Sequence, residues 1–189
     1  MTGNEAVGAN AAPTPAGVVV ADAAGSPLFD PAEPPISAFA GPWRFLSNFA
    51  DPAVTVFEGA TYPTSEAAYN AGKTLDPVVR AWIAAAGSAG EAKRRGNNHN
   101  KVALRPDWNS RVRYEVMDVV LHAKFTAHPA RAAALLSTGM RELIEGNTWC
   151  DQVWGRCTCT KHLGTGQNRL GLALMRLRAR LRAEAGVTP

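Results

Sequence analysis

A mainly α fold is expected: a single compact helical domain with a few short β-strands, preceded by a flexible tail. Three observations predict it. The 189 residues suit one ordinary domain, and 46% apolar side chains, five Trp among them, suffice for a core. Helix-start signals recur from Thr64 to Asn168. Residues 1–37 are rich in Ala, Pro and Gly, as in Ala11-Ala12-Pro13-Thr14-Pro15 and Pro31-Ala32-Glu33-Pro34-Pro35, with few large side chains to offset the entropy of ordering. The expected layout is a tail over 1–37, a domain over 38–183 and a short C-terminal tail over 184–189. Within the tail, Val18-Val19-Val20 is an alternative short strand or docking segment.

In chain order, Phe45, Phe49, Val54, Val56 and Phe57 alternate loosely with polar residues, and Glu58-Gly59-Ala60 offers a turn, so a short extended segment or hairpin is expected. Thr64 or Ser65 caps a helix with Glu66 in its first turn. Asp76-Pro77 opens a second helix through Trp82 to about Ala86, and Ser88-Ala89-Gly90-Glu91 matches a capping box for a third. Val112, Val116, Val119, Val120 and Ala123 recur at helical spacing, which predicts the longest helix over about 107–125. Pro129 suits the first turn of another through Leu135-Leu136, ended by Thr138-Gly139. The last, over about 168–182, places Leu170, Leu174, Leu177 and Leu181 on one stripe, with Arg169, Arg176, Arg178, Arg180 and Arg182 read mostly as a solvated face. Residues 141–166 are weakly periodic and dense in polar, Gly, Trp and Cys residues, as long functional loops are. There is no internal repeat.

All 20 Lys and Arg fall from Arg44 onward, against 12 of the 16 acids, so that part carries +8 while the whole chain carries +4. A basic body points to an anionic partner, a nucleotide or a nucleic acid. No run approaches the roughly 20 apolar residues of a spanning helix, so no membrane partner is expected. The three cysteines, Cys150, Cys157 and Cys159, are odd in number and clustered, unlike a secreted disulfide framework, and predict reduced thiols in a cytoplasm.

Four constellations carry chemistry. On a helix from Ser65, Glu66, Tyr69, Asn70 and Lys73 share one face, an acid, an aromatic, an amide and a base; the plainer alternative is a capping Glu beside an exposed Lys. Asp151 between Trp149 and Trp154 suits a site that stacks a planar ligand near a charge, base stacking being worth about 1–3 kcal/mol; two core Trp flanking an Asx turn is the equal alternative. Cys150, Cys157, Cys159 and His162 supply a Cys3His set, but C-x-C is cramped, so buried or idle thiols are the default and no metal is expected. Gly164-x-Gly166 before the last helix offers Asn168 and Arg169 to a phosphate or ribose, or is a simple turn with a capping Asn.

Taken in order, Phe45-Leu46-Ser47-Asn48-Phe49, Tyr62-Pro63-Thr64-Ser65-Glu66, Ala92-Lys93, Trp108, Arg111, Val116-Met117, Lys124-Phe125, Leu135-Leu136-Ser137-Thr138-Gly139, Leu143-Ile144-Glu145-Gly146-Asn147-Thr148-Trp149, Asp151, Trp154-Gly155 and Gly166-Gln167-Asn168-Arg169-Leu170-Gly171 resemble the motifs of the NADAR family, also known as the riboflavin-biosynthesis-intermediate N-glycosidase family. The resemblance spans about residues 37–183. It implies a mainly helical hydrolase of ribose–nitrogen bonds that needs no cofactor or metal. Known members act on ribosylamino-pyrimidine intermediates, and others remove ADP-ribose from guanine. The family pocket maps onto Asn48, Glu66, Trp108, Lys124, Asp151 and Trp154. Where the family motif reads His-x-aromatic after its Glu, this chain has Ala67-Ala68-Tyr69; where it often reads Gly-Arg, here it is Gly96-Asn97; and residues 157–165 form a longer loop.

Glu66 or Asp151 is then expected to act at the ribose and water, with the other orienting the sugar or base. Trp154, Trp108 and Phe49 would wall the base, and Lys124, Arg44 and Lys73 would meet phosphate, with Asn48, Gly155 and Asn168 completing the substrate set. The substrate is a ribosylated base such as ADP-ribosylated guanine, free or in nucleic acid. The competing expectation is a non-catalytic ADP-ribose or nucleic-acid reader; a zinc-stabilised interaction domain is a third.

Overall fold

The structure is a computed structural model and describes residues 20–22, 25–50 and 55–186. Val18, Val19 and Val54, and most of the expected tail, lie outside these residues. The fold is mainly α with a few short strands, as the sequence predicts.

The expected hairpin is β1 (Thr55–Phe57) paired antiparallel with β2 (Ala60–Tyr62), with Phe57 opposite Ala60. Its turn residues Glu58 and Gly59 both have positive φ, 45° and 78°, as a two-residue turn matching strand twist requires. Phe45 instead belongs to a 3-10 turn, Gly41–Leu46, whose C-terminal end leads into the site. Helices α1 (Ser65–Ala71), α2 (Pro77–Ala84) and α3 (Ala89–Gly96) start where the caps predict: Thr64 Oγ1 accepts from Ala67 N at 3.1 Å, Asp76 Oδ1 from Val78 N at 2.8 Å, and Ser88 Oγ from Glu91 N at 3.1 Å.

The long helix is in two parts. Asp107 sits at φ 56°, and its carbonyl collects the amides of Ser110, Arg111 and Val112, so the chain makes a wide π turn, Trp108–Val112, before α4 (Arg113–Thr126). That turn buries Trp108. α5 (Pro129–Leu136) and α6 (Arg169–Glu184) follow. α1 packs on α2, α3 and α4, and α4 on α5 and α6, around a core that includes Ala68, Val120, Phe125, Leu135 and Leu174. Between α5 and α6 the irregular segment holds β3 (Gly146–Asn147), paired in parallel with β4 (Arg156–Cys157).

Two expectations are corrected. The packed body begins before residue 38: Leu28, Phe29 and Ile36 are buried, and Ile36 exchanges main-chain hydrogen bonds with the 142–144 segment at 2.8 Å. This early segment covers α6, so Arg178 is not on a solvated face but 0% exposed. Its guanidinium donates to Thr138 Oγ1 at 2.8 Å and Leu28 O at 2.9 Å, and burial together with the Arg182 charge lowers its pKa to about 10. Arg178 is a structural tie between strap and helix. No helix of the described residues is long and apolar enough to cross a membrane.

Candidate active site

A cavity of about 770 Å³ opens where the 3-10 turn, the start of α1, the end of α3, the π turn and the 145–154 segment meet. Three carboxylates line it: Glu66, Glu145 and Asp151.

Glu66 reaches the cavity because the Thr64 cap fixes the first turn of α1, and its main-chain N–H donates to Asn48 O at 3.1 Å. One turn on, Asn70 Nδ2 donates to Glu66 Oε1 at 3.0 Å and Glu66 O at 2.9 Å. Burial raises the Glu66 pKa, with the Lys93 charge and the Asn70 hydrogen bond opposing. Glu145 is pushed up to about 7 by burial and then by the charges of Asp151 and Glu66. The three acids therefore form one electrostatically coupled group. Asp151 Oδ1 accepts the N–H groups of Val153 at 3.0 Å and Trp154 at 2.9 Å, an Asx turn. The buried Asn147 clamps its main chain in both directions, accepting from Asp151 N at 3.1 Å and donating to Asp151 O at 2.8 Å. The Asx turn expected as one alternative is present, and its Asp151 and Trp154 line the cavity.

Aromatic rings form one wall. Tyr69 lies 5.5 Å from Trp108 and 5.4 Å from Trp154 between ring centroids. Three cations, Lys73, Lys93 and Arg44, line the same cavity. Lys73 Nζ is 2.6 Å from Asn97 Oδ1 and 3.2 Å from Gly96 O, and burial lowers its pKa to about 8. Lys93 Nζ lies over the Phe49 ring at 5.6 Å, and Arg44 donates to Phe49 O at 2.7 Å. Three buried oxygens on the lining, Asn48 Oδ1, Asn70 Oδ1 and Glu145 Oε2, have no hydrogen-bond partner among the described residues. Unmatched buried acceptors clustered at one cavity need donors from whatever fills it.

Eight residues singled out from the sequence thus meet here: Arg44, Asn48, Phe49, Glu66, Lys73, Trp108, Asp151 and Trp154. Lys124, Gly155 and Asn168 do not line the cavity, and each has a supporting task. Lys124 is 2% exposed, donates to Ser47 O at 2.8 Å beside Asn48, and is lowered by burial to about 7. A Cβ on Gly155 would fall 2.0 Å from Glu145 O. Asn168 bonds Glu145 N at 3.0 Å and Leu143 O at 2.8 Å, so it braces the main chain at Glu145 rather than a phosphate. Sequence reasoning missed Lys93 and Glu145 as site residues, although both stand inside the family-like motifs, which were the available signal. Trp149 is 61% exposed at the rim, not in the core.

A family model of the NADAR domain matches residues 35–182. N-glycosidase YbiA of Escherichia coli (strain K12) is 41% identical over 139 residues, covering 74% of this chain and 82% of that protein; the protein of the same name in Shigella boydii matches equally. Riboflavin biosynthesis protein VVA0006 of Vibrio vulnificus is 34% identical over 141 residues, 75% of this chain but 36% of that longer protein. The NMR structure of E. coli YbiA superposes with a TM-score of 0.67 at 34% identity, covering 82% of this chain and 87% of that one.

Proposed function

The chain belongs to the NADAR family and is a hydrolase of N-glycosyl bonds, and from that premise we propose that it cleaves the ribose–nitrogen bond of a ribosylated base, removing ADP-ribose from guanine or splitting a ribosylamino-pyrimidine. The observation that carries this reading is the coupled set Glu66, Glu145 and Asp151 lining one cavity together with the rings of Tyr69, Trp108 and Trp154.

Cleavage builds positive charge on the ribose C1′ and negative charge on the departing base. Carboxylates beside C1′ stabilise the first, and an acid neutralises the second. Like charges in one buried site cannot all ionise cheaply, and Glu145, pushed up to about 7, is the member placed to hold a proton near neutral pH, with Glu66 raised in the same direction. The ionised member activates water at C1′, the protonated one gives its proton to the leaving nitrogen, and Asp151, fixed by its Asx turn, orients the ribose hydroxyls. Trp108, Tyr69 and Trp154 stack the base, while Lys73, Lys93 and Arg44 meet phosphate. The unmatched oxygens of Asn48 and Asn70 accept from ribose hydroxyls or the base amino group.

A substrate panel tests it: ADP-ribosylated guanosine, the same modification in an oligonucleotide, and a ribosylamino-pyrimidine, with released ADP-ribose, or the freed pyrimidine from the third, measured by chromatography. Release from at least one, abolished by Glu66→Gln, supports the reading. Binding of ADP-ribose without release from any favours the non-catalytic reader.

A further inference from the structure

We propose that Cys150, Cys157, Cys159 and His162 hold a structural zinc ion that pins the loop carrying Asp151 and Trp154. The potential ligand atoms of these four residues all lie within 4.8 Å of one another. Cys150 Sγ is 3.6 Å from Cys159 Sγ, and Cys159 Sγ is 3.3 Å from His162 Nδ1. Tetrahedral zinc with Zn–S of about 2.3 Å and Zn–N of about 2.0–2.1 Å separates its ligands by roughly 3.5–3.8 Å. The cluster is therefore near the edge lengths of a closed Cys3His site. The S–S separation is far from the roughly 2.05 Å of a disulfide.

The C-x-C tripeptide, cramped on paper, is accommodated by the fold. Cys157 ends β4 and pairs with Thr165 across a short reversal, N to O at 2.8 Å, and Cys159, in the bend beyond the strand, turns its main-chain N–H to Cys157 Sγ at 3.5 Å. The reversal continues with Cys159 O accepting from His162 N at 3.0 Å and Leu163 N at 2.9 Å, which folds His162 back to the sulfur. Cys150 comes from the other strand of chain, held at φ 67°. None of the four lines the catalytic cavity, so the metal takes no part in the reaction. Binding displaces the thiol protons, and three thiolates with a neutral imidazole leave the centre at −1. Its effect is geometric: Cys150 and Cys157 bracket residues 151–156, so one ion closes the loop that presents Asp151 and Trp154.

The test uses the full chain, purified without a metal-affinity tag or chelator. Elemental analysis is expected to find about one zinc per chain, lost in Cys159→Ser. Should that variant fail to fold, cobalt(II) added to demetallated wild type gives the independent readout: thiolate charge-transfer bands and intense tetrahedral d–d bands. Zinc removal is further expected to speed amide exchange in residues 150–163 while leaving α1 unchanged. Metal-free protein that acquires no cobalt bands and whose three thiols react freely, or a Cys150–Cys159 disulfide found by mass spectrometry, overturns the proposal whether or not the enzyme is active.

Discussion

Asn70 holds Glu66 at two points one helical turn apart, its Nδ2 donating to both Oε1 at 3.0 Å and the main-chain oxygen at 2.9 Å. Its own Oδ1 rests against Gly96, where a Cβ would fall 2.3 Å away, so α1 and α3 jointly aim the acid. The hydrogen bond favours ionised Glu66 against burial. Asn70→Ala is expected to lower kcat about tenfold or more and to shift the acid limb of the pH–rate profile upward, because losing that donor raises the Glu66 pKa further. A full profile of kcat against pH for both proteins checks the sign.

Truncating the wall acts on binding. With stacking worth about 1–3 kcal/mol, Trp154→Ala is expected to raise KM roughly 5- to 150-fold. Substrate titration followed by tryptophan fluorescence in wild type and Trp108→Phe measures the same contact directly.

Titration of buried groups sets a stability profile with two slopes. Glu145 is raised to about 7 from 4.5, so the folded chain holds its proton longer and stability falls as pH rises through that window. Lys124 is lowered to about 7 from 10.5, so the unfolded chain binds the extra proton there and stability rises from about pH 7 towards 10.5, with Lys73 adding to the rise above about 8. Urea midpoints against pH are expected to lose part of the falling limb in Glu145→Gln, Glu66 being raised as well, and part of the rising limb in Lys124→Met.

Arg178 bears on folding alone. Arg178→Ala leaves Leu28 O and Thr138 Oγ1 without their donor and opens a void, a loss of roughly 3 kcal/mol, or about 10 °C in Tm. Thermal unfolding reads it, and substrate affinity of the folded fraction should be unchanged.

What the sequence made legible was local. Thr64, Asp76 and Ser88 announce their helices because a cap needs only the next three residues, and Glu66, Tyr69 and Asn70 share a face of α1 because helical spacing puts them there, whereas Lys73 reaches the cavity from the turn past its end. What it hid was tertiary. Arg178 looks like its solvated neighbours until a segment 150 residues away covers it. Asn168 looks like a phosphate contact until its amide is found bracing Glu145. The Glu145 pKa depends on acids brought near it by α1 and the 151–154 turn, which no local pattern encodes.

In the proposed reaction the coupled carboxylates perform the hydrolysis. Single-turnover release of ADP-ribose from ADP-ribosylated guanosine by wild type, Glu66→Gln and Asp151→Asn tests this most directly. Each variant is expected to slow release at least about a hundredfold while still binding ADP-ribose. Unchanged release in both would contradict the account.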